Sequence, residues 1–393
     1  MSTRYNRRSL NALSSLRPPR IAGFALVCVV SAACAAPAAS TNTSASGGAQ
    51  VSGSASASAS PAGYRVLFTA STTTGNDIFL YDSASSTPQS LVTLGVGPSP
   101  QPRFVTAQTV GYIDSTNQGT SRILKFDLSS RASSVEVSAS GYIPAFAYKH
   151  DGSSLAYLEH GANNGKATLH ILTGGQDTAL PLNSIAGRGV SRDDEVRLQY
   201  SPDDKYLLMV DTFVGNQGQA PETGQFLVLR SADHTLAFLP PAGVSSNATM
   251  ATWARGTDRL YYRDAVGVRT WDAEVTSVGT LAANLHWYDP ATSADGHWIT
   301  YTDFDTRSVP HVHLYDLRAN QVTATASPPR SHPVFVSSDT IWFLEEQPCQ
   351  GECLGGASTP SGKVFAYNLR SASESALPFT DVHDLSDLSV APR

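Results

Sequence analysis

Six carboxylates recur in one phase of this sequence. Asp114, Glu159, Asp211, Asp264, Asp303 and Glu345 each stand two residues after an aromatic residue, or after Met209 in one case, inside a short apolar run. Only the first such run lacks the acid and has Ala70 in its place. Brought together by a repeating fold, these carboxylates would form a ring, with Asp305 and Glu346 close by, that attracts a cation or a basic segment of a partner. A plainer account competes with that one: an acid at the end of a strand accepts backbone hydrogen bonds from the following loop and faces water. A bound cation at the acidic mouth is the one cofactor this pattern leaves room for.

Other residue types with chemical potential are scattered. His311 and His313 alternate and so face one side of a strand, but no spacing joins two histidines to a carboxylate in a metal-ligand pattern, and no metal centre is expected. Cys349 and Cys353, spaced as Cys-Gln-Gly-Glu-Cys, read as a local disulfide in an oxidising compartment. A zinc site would need further ligands at comparable spacing. The sequence has no G-x-S-x-G elbow, P-loop, G-x-G-x-x-G or H-E-x-x-H motif, so no catalytic residues are assigned.

The elements that carry these residues repeat from Tyr64 onward. One strand series runs Asp77–Asp82, Arg122–Asp127, Thr168–Leu172, Gln225–Leu229, Gly267–Asp272, His311–Asp316 and Lys363–Asn368. Its copies lie roughly 40 to 55 residues apart, the length of a four-stranded propeller blade. A second series keeps the same phase: Val66–Phe68, Val110–Tyr112, Leu155–Tyr157, Leu207–Met209, Leu260–Tyr262, Ile299–Tyr301 and Ile341–Phe343. Polar turns precede most of the second series, among them His150-Asp-Gly152, Ser201-Pro-Asp-Asp204 and Ser293-Ala-Asp-Gly296. Helical periodicity is nowhere sustained, and the expected fold is all-β: a seven-bladed β-propeller of four-stranded blades. The first unit starts at its second strand, while Asp387–Pro392 aligns with first strands such as Arg197–Pro202. The C-terminal strand is therefore expected to complete the N-terminal blade, which leaves no open sheet edge. The five tryptophans, spread over the units, read as packing between blades.

Two of the units carry a resemblance. Tyr200-Ser-Pro-Asp-Asp204 with Tyr206–Met209, and Thr292-Ser-Ala-Asp-Gly296 with Trp298–Tyr301, resemble the W-S-P-D-G-x-x-I-A-F repeat of TolB-type, WD-like β-propellers. The resemblance covers about Tyr64 to Arg393 and is specific for the blade, not for an activity. Phe104–Ala107 and Trp253–Gly256 depart from the repeat.

Upstream of the blades the sequence changes character. Residues 1–33 hold five Arg, no acid and then an apolar run, which is a signal peptide, and the run is too short for a relaxed membrane span. Arg7-Arg8-Ser9-Leu10 resembles part of a twin-arginine export signal, though the ordinary secretory route is expected. Ser31-Ala-Ala-Cys34 resembles a lipobox, which makes Cys34 the expected lipidation site; cleavage near Ala33 or Ala38 is the alternative. Residues 34–62, rich in Ala, Ser, Thr and Gly, form the expected disordered spacer, and 63–393 the propeller. Losing the five leader Arg takes the formal charge from −6 to about −11, which disfavours nucleic acid as a partner.

These features lead us to expect an exported binding or scaffolding module, a membrane lipoprotein or a periplasmic or extracellular protein. We expect it to be monomeric, touching the membrane through its anchor alone and meeting a protein or extracellular ligand. A propeller enzyme, a lyase or glycoside-acting enzyme using acids and histidines at the channel mouth, is the alternative. Carboxylates converging with Arg192, Arg197 or His286 in a closed pocket would favour it. Long connections, Thr212–Gly224, Glu345–Gly362, Asn183–Glu195 and Ala282–Pro290, all fall on the face that carries the six acids, whereas the turns of the other face are short.

Overall fold

Runs of β-branched and aromatic residues broken by Ser, Asp and Gly turns have no stripe to offer a helix, and every element described folds as a strand. The computed structural model describes residues 63–72, 75–115, 119–161, 167–182, 195–213, 223–240, 249–264, 266–283, 285, 287–324, 329–349, 358–385 and 387–391. The leader, the spacer, Cys34, Cys353, Arg192 and His286 lie outside them, as does the side chain of Asp211.

Seven antiparallel sheets of four strands form seven blades in a ring. The two strand series pair in the same register in blade after blade: Phe68 lies opposite Phe79, Tyr112 opposite Leu124, Met209 opposite Leu227, and Tyr301 opposite His313. The innermost strands of the second to seventh blades are Arg103–Thr106, Tyr142–Tyr148, Glu195–Tyr200, Thr249–Trp253, Tyr288–Thr292 and Arg330–Phe335. They converge on one another around the axis.

Ring closure follows the sequence expectation. Ser389–Val390 pairs with Arg65–Thr72, placing Val390 opposite Val66 and Ser389 opposite Leu67, and Ala391 N donates to Arg65 O at 2.9 Å. The closing strand is shorter than Asp387–Pro392. Leu388 N donates to Leu385 O in a turn, and the backbone at Asp387 is drawn to Arg103 of the second blade.

The core lies between blades rather than within one sheet. Seven apolar clusters each bridge two neighbouring blades, one at every interface around the ring. The second strands are accordingly buried on both faces, as in Leu155–Leu158. Trp342 of the last blade packs against Tyr81 of the first and against Phe379, with ring centroids 5.2 and 5.4 Å apart, so the closing interface is as aromatic as any. Trp253 and Trp271 fill the interface between the fourth and fifth blades, and Trp287 the next, which bears out the packing role.

The polar turns hold the blades' first hairpins. Ser293 Oγ donates to Asp295 and accepts from the backbone of Trp298, and Ser201 repeats this with Asp203 and Tyr206. The last turn position is left-handed in four blades, at Gly152, Asp204, Gly256 and Gly296. Glycine takes that conformation without steric cost, and Asp204 is the residue that stands in for it.

Candidate functional site at one mouth of the channel

Each crossing between blades delivers the chain to the innermost strand at the face that carries the long connections. Residues early in an innermost strand therefore line that mouth of the channel. Arg103, Arg197, Asp289 and His332 hold such positions, and Asp387 enters just before the closing strand.

Three successive innermost strands break register where they reach this mouth, between Thr249 and Thr252, Tyr288 and Ala291, and Ser331 and Val334. At each break a non-glycine residue is left-handed: Met250 (φ 56°), Asp289 (φ 47°) and His332 (φ 52°). A bulge re-aims a side chain, and strained backbone of this kind concentrates at binding and catalytic sites. Asp and His tolerate the conformation better than most residues.

The re-aimed groups meet across the ring. Arg197 of the fourth blade lies 3.8 Å from Asp289 Oδ1 of the sixth, and His332 Nε2 of the seventh lies 3.8 Å from Asp289 Oδ2. His332 Nδ1 is 2.9 Å from Ser331 Oγ, which donates in turn to Glu346. On the other side Arg103 donates to Asp387 O at 2.8 Å and faces its carboxylate at 3.8 Å, while Ser99 Oγ donates to the same carboxylate. Burial pushes the Asp387 carboxyl above its usual range; Arg103 and the more distant Arg197 pull it back, and Asp384 adds to the rise. The mouth is thus a patchwork of both signs, with Arg197 about half exposed.

The second-strand acids are placed differently. Asp114 pairs with Arg122 directly across the hairpin. Glu159 accepts from Ser140 Oγ and Gly141 N. Asp264 is buried, accepting from Val266 N at 2.7 Å with Arg269 at 3.6 Å, and Asp303 accepts from Phe304 N. Ser361 Oγ and Lys363 engage Glu345; burial opposes ionisation there, but those two donors hold the carboxyl below its usual range. Asp211 lies in its strand opposite Gln225, two residues before the strand ends at Phe213. Asp305 accepts from Arg307 N and Val309 N. Each described acid is therefore served within its own blade or by the crossing into it.

Among the described residues, no group of three or more His, Cys, Asp or Glu has the arrangement of a metal site. Cys349 is disulfide-bonded. It directly follows Pro348 in the longest hairpin among the described residues, Thr340–Pro348 with Ser358–Asn368, which continues past Glu345 through Glu346–Pro360, Gln347–Thr359 and Pro348–Ser358. That hairpin projects from the same face as the mixed-charge mouth.

Sequence reasoning weighed Arg197 but passed over Arg103, Asp289, His332 and Asp387. Their signal was present: a charged or imidazole side chain standing in or beside a short, largely apolar first strand, in several units at once.

No family model and no curated protein matches this sequence. Solved structures do. The chain is similar to prolyl endopeptidases (12% identity, TM-score 0.56, covering 81% of this chain and 48% of theirs). It is also similar to the β-propeller domain of the Trilobed protease from Pyrococcus furiosus (12% identity, TM-score 0.52, 82% and 94% covered). A third likeness is to TolB from Acinetobacter baumannii (15% identity, TM-score 0.48, 84% and 67% covered). The Pyrococcus domain has an open velcro topology, whereas here the C-terminal strand closes the first blade. This chain spans about half the length of the prolyl endopeptidases, and at these identities the likeness is one of fold: a seven-bladed, all-β propeller.

Proposed function

We propose that this protein is a binding module of the bacterial cell envelope, exported, anchored through a lipidated Cys34, and presenting the mixed-charge mouth of its channel to a protein partner. The observation that carries the proposal is the cross-ring group Arg197–Asp289–His332. Its ion pairs are long, at 3.8 Å, and Arg197 is about half exposed, so a partner's carboxylate or ammonium can exchange with them at little loss. The left-handed Asp289 and His332 hold two of the groups in place before binding, which lowers the ordering cost of association. The projecting hairpin that ends at Cys349 supplies a second contact surface on the same face.

A second reading has one observation in its favour. An imidazole, a carboxylate and a guanidinium converge at one mouth, the residue types that a lyase or glycoside-acting enzyme uses for proton transfer and charge stabilisation.

Crosslinking in intact cells, comparing the wild-type chain with the double variant Arg197→Glu/Asp289→Lys, separates the two. A partner captured by the wild type and lost from the variant supports the binding module. An unchanged set of crosslinked proteins refutes it. Mass spectrometry of the membrane-purified protein tests the anchor: a diacylated Cys34 is expected, and an unmodified N-terminus after Ala33 or Ala38 rejects it.

A further inference from the structure

The opposite face of the disc carries short turns, and between the third and fourth blades they enclose a cavity of about 240 Å³. Its floor is apolar: Ile171, Leu207 and Leu229 are all buried. Its rim holds Lys149, Arg230 and His234, and no carboxylate lines it. Three basic residues around one apolar cavity stand out in a chain whose formal charge is −6.

Three acids stand in the turns around it. Asp151 accepts from Ser153 N and Asp233 from Thr235 N and Oγ1, each inside its own turn; these bonds hold both carboxyls below their usual range, and Lys149 adds to the effect at Asp151 as Arg230 does at Asp233. Asp204 accepts from the backbone and ring of His150, a link that braces the turns of the two blades against each other. Lys149 Nζ sits 6.0 Å from the centre of the Tyr200 ring, and among the described residues Arg230 donates to two neutral acceptors, Thr235 Oγ1 and Leu236 O.

The walls add hydroxyls. Ser154 Oγ meets Thr173 Oγ1 at 2.8 Å, and both residues line the cavity with Tyr200. Burial pushes the Tyr200 phenol up to about 12, so it stays protonated and able to donate. Ser231 also lines the cavity, and its Oγ is shielded from solvent with no hydrogen-bond partner among the described residues.

We infer that this inter-blade cavity binds a small monocarboxylate with a compact apolar body. The carboxylate meets Lys149 and Arg230, and the body covers Ile171, Leu207 and Leu229. A volume of about 240 Å³ has room for a carboxylate and a small ring or short branched chain. This site lies on the face opposite the channel mouth and does not depend on the binding-module reading.

Benzoate is the probe for the test, with benzamide as the same body without charge and acetate as the charge without the body. Titration calorimetry and ligand-observed NMR on the full-length protein should show benzoate binding at least about tenfold tighter than either control. Lys149→Gln and Arg230→Gln should each weaken it by about tenfold, since each removes one charge-assisted contact. Both side chains sit at the rim, so melting temperatures should match the wild type. Benzamide binding as tightly as benzoate, no benzoate binding at about 10 mM (an order-of-magnitude ceiling for such fragments), or wild-type benzoate affinity in the combined variant Lys149→Gln/Arg230→Gln would overturn the inference.

Discussion

The innermost strands and the second strands both place charge on the same face of the ring, yet they satisfy it in opposite ways. In the second strands the partner is local: Arg122 lies directly across the hairpin from Asp114, and Lys363 reaches Glu345 from the neighbouring strand. At the mouth, innermost-strand groups find their partner in another blade, as with Arg103 and Asp387, or Arg197 and Asp289, although Arg330 beside them pairs with Glu374 of its own blade. Local pairing can form in one hairpin before the ring exists. Pairing across the axis forms only when the ring has closed. Charge in the second strands therefore caps loops, whereas charge in the innermost strands reports on closure and is the charge that a ligand in the channel would meet.

The largest test of this contrast is removal of the closing strand. Deleting Asp387–Arg393 takes away the pairing with Val66 and Leu67, the Ser389 Oγ that receives Phe104 N, and both contacts from Arg103. It leaves the Arg103 guanidinium, about a quarter exposed, without its main partner. Losing one member of such a pair costs about 3–5 kcal/mol, and the melting temperature should fall by roughly 5–10 °C. A truncated protein that melts like the full chain would show that closure rests on the aromatic interface around Trp342 alone. Single substitutions grade the effect. Arg103→Ala should cost about 2 kcal/mol, because a charged hydrogen bond to the Asp387 backbone goes with the ion pair. Arg197→Ala should cost under about 1 kcal/mol, because its pair is long and wet. Equal losses in thermal denaturation would erase the distinction between a closing pair and an exchangeable one.

The same contrast explains how much of the molecule was legible in its sequence. Blade number and strand phase could be read because Tyr112, Tyr157, Tyr262, Tyr301 and Phe343 sit in short runs whose neighbours pair within about twenty residues. The closing strand was legible from one alignment, Asp387–Pro392 with Arg197–Pro202, although the turn at Leu385–Leu388 shortens it. The six acids were easy to find for the reason that they repeat locally. The mouth was not, because nothing within a hairpin relates Arg197 to Asp289 or His332; their proximity exists only once strands from the fourth, sixth and seventh blades converge. Nor does sequence alone disclose that Asp289 and His332 are left-handed at bulges in their innermost strands.

The smallest expected effect belongs to a locally served acid, and Glu345 is the clearest case. Ser361 and Lys363 hold its carboxyl below the usual range against the opposing effect of burial. A carboxyl depressed in the folded state stabilises the fold above its unfolded pKa, and that contribution is lost as the pH falls through the lower folded value. The side chain is about a quarter exposed, so solvent screens the pair and the contribution at neutral pH is at most about 0.5 kcal/mol. Glu345→Gln should therefore lower the melting temperature by about 1 °C at pH 7 and leave it unchanged once the pH is low enough to protonate the wild-type carboxyl. Melting curves of both proteins between pH 7 and about 3 check this. A loss at pH 7 as large as that of Arg103→Ala, or a difference that persists in acid, would mean that Glu345 is not served locally and that the second-strand acids act across blades as the innermost ones do.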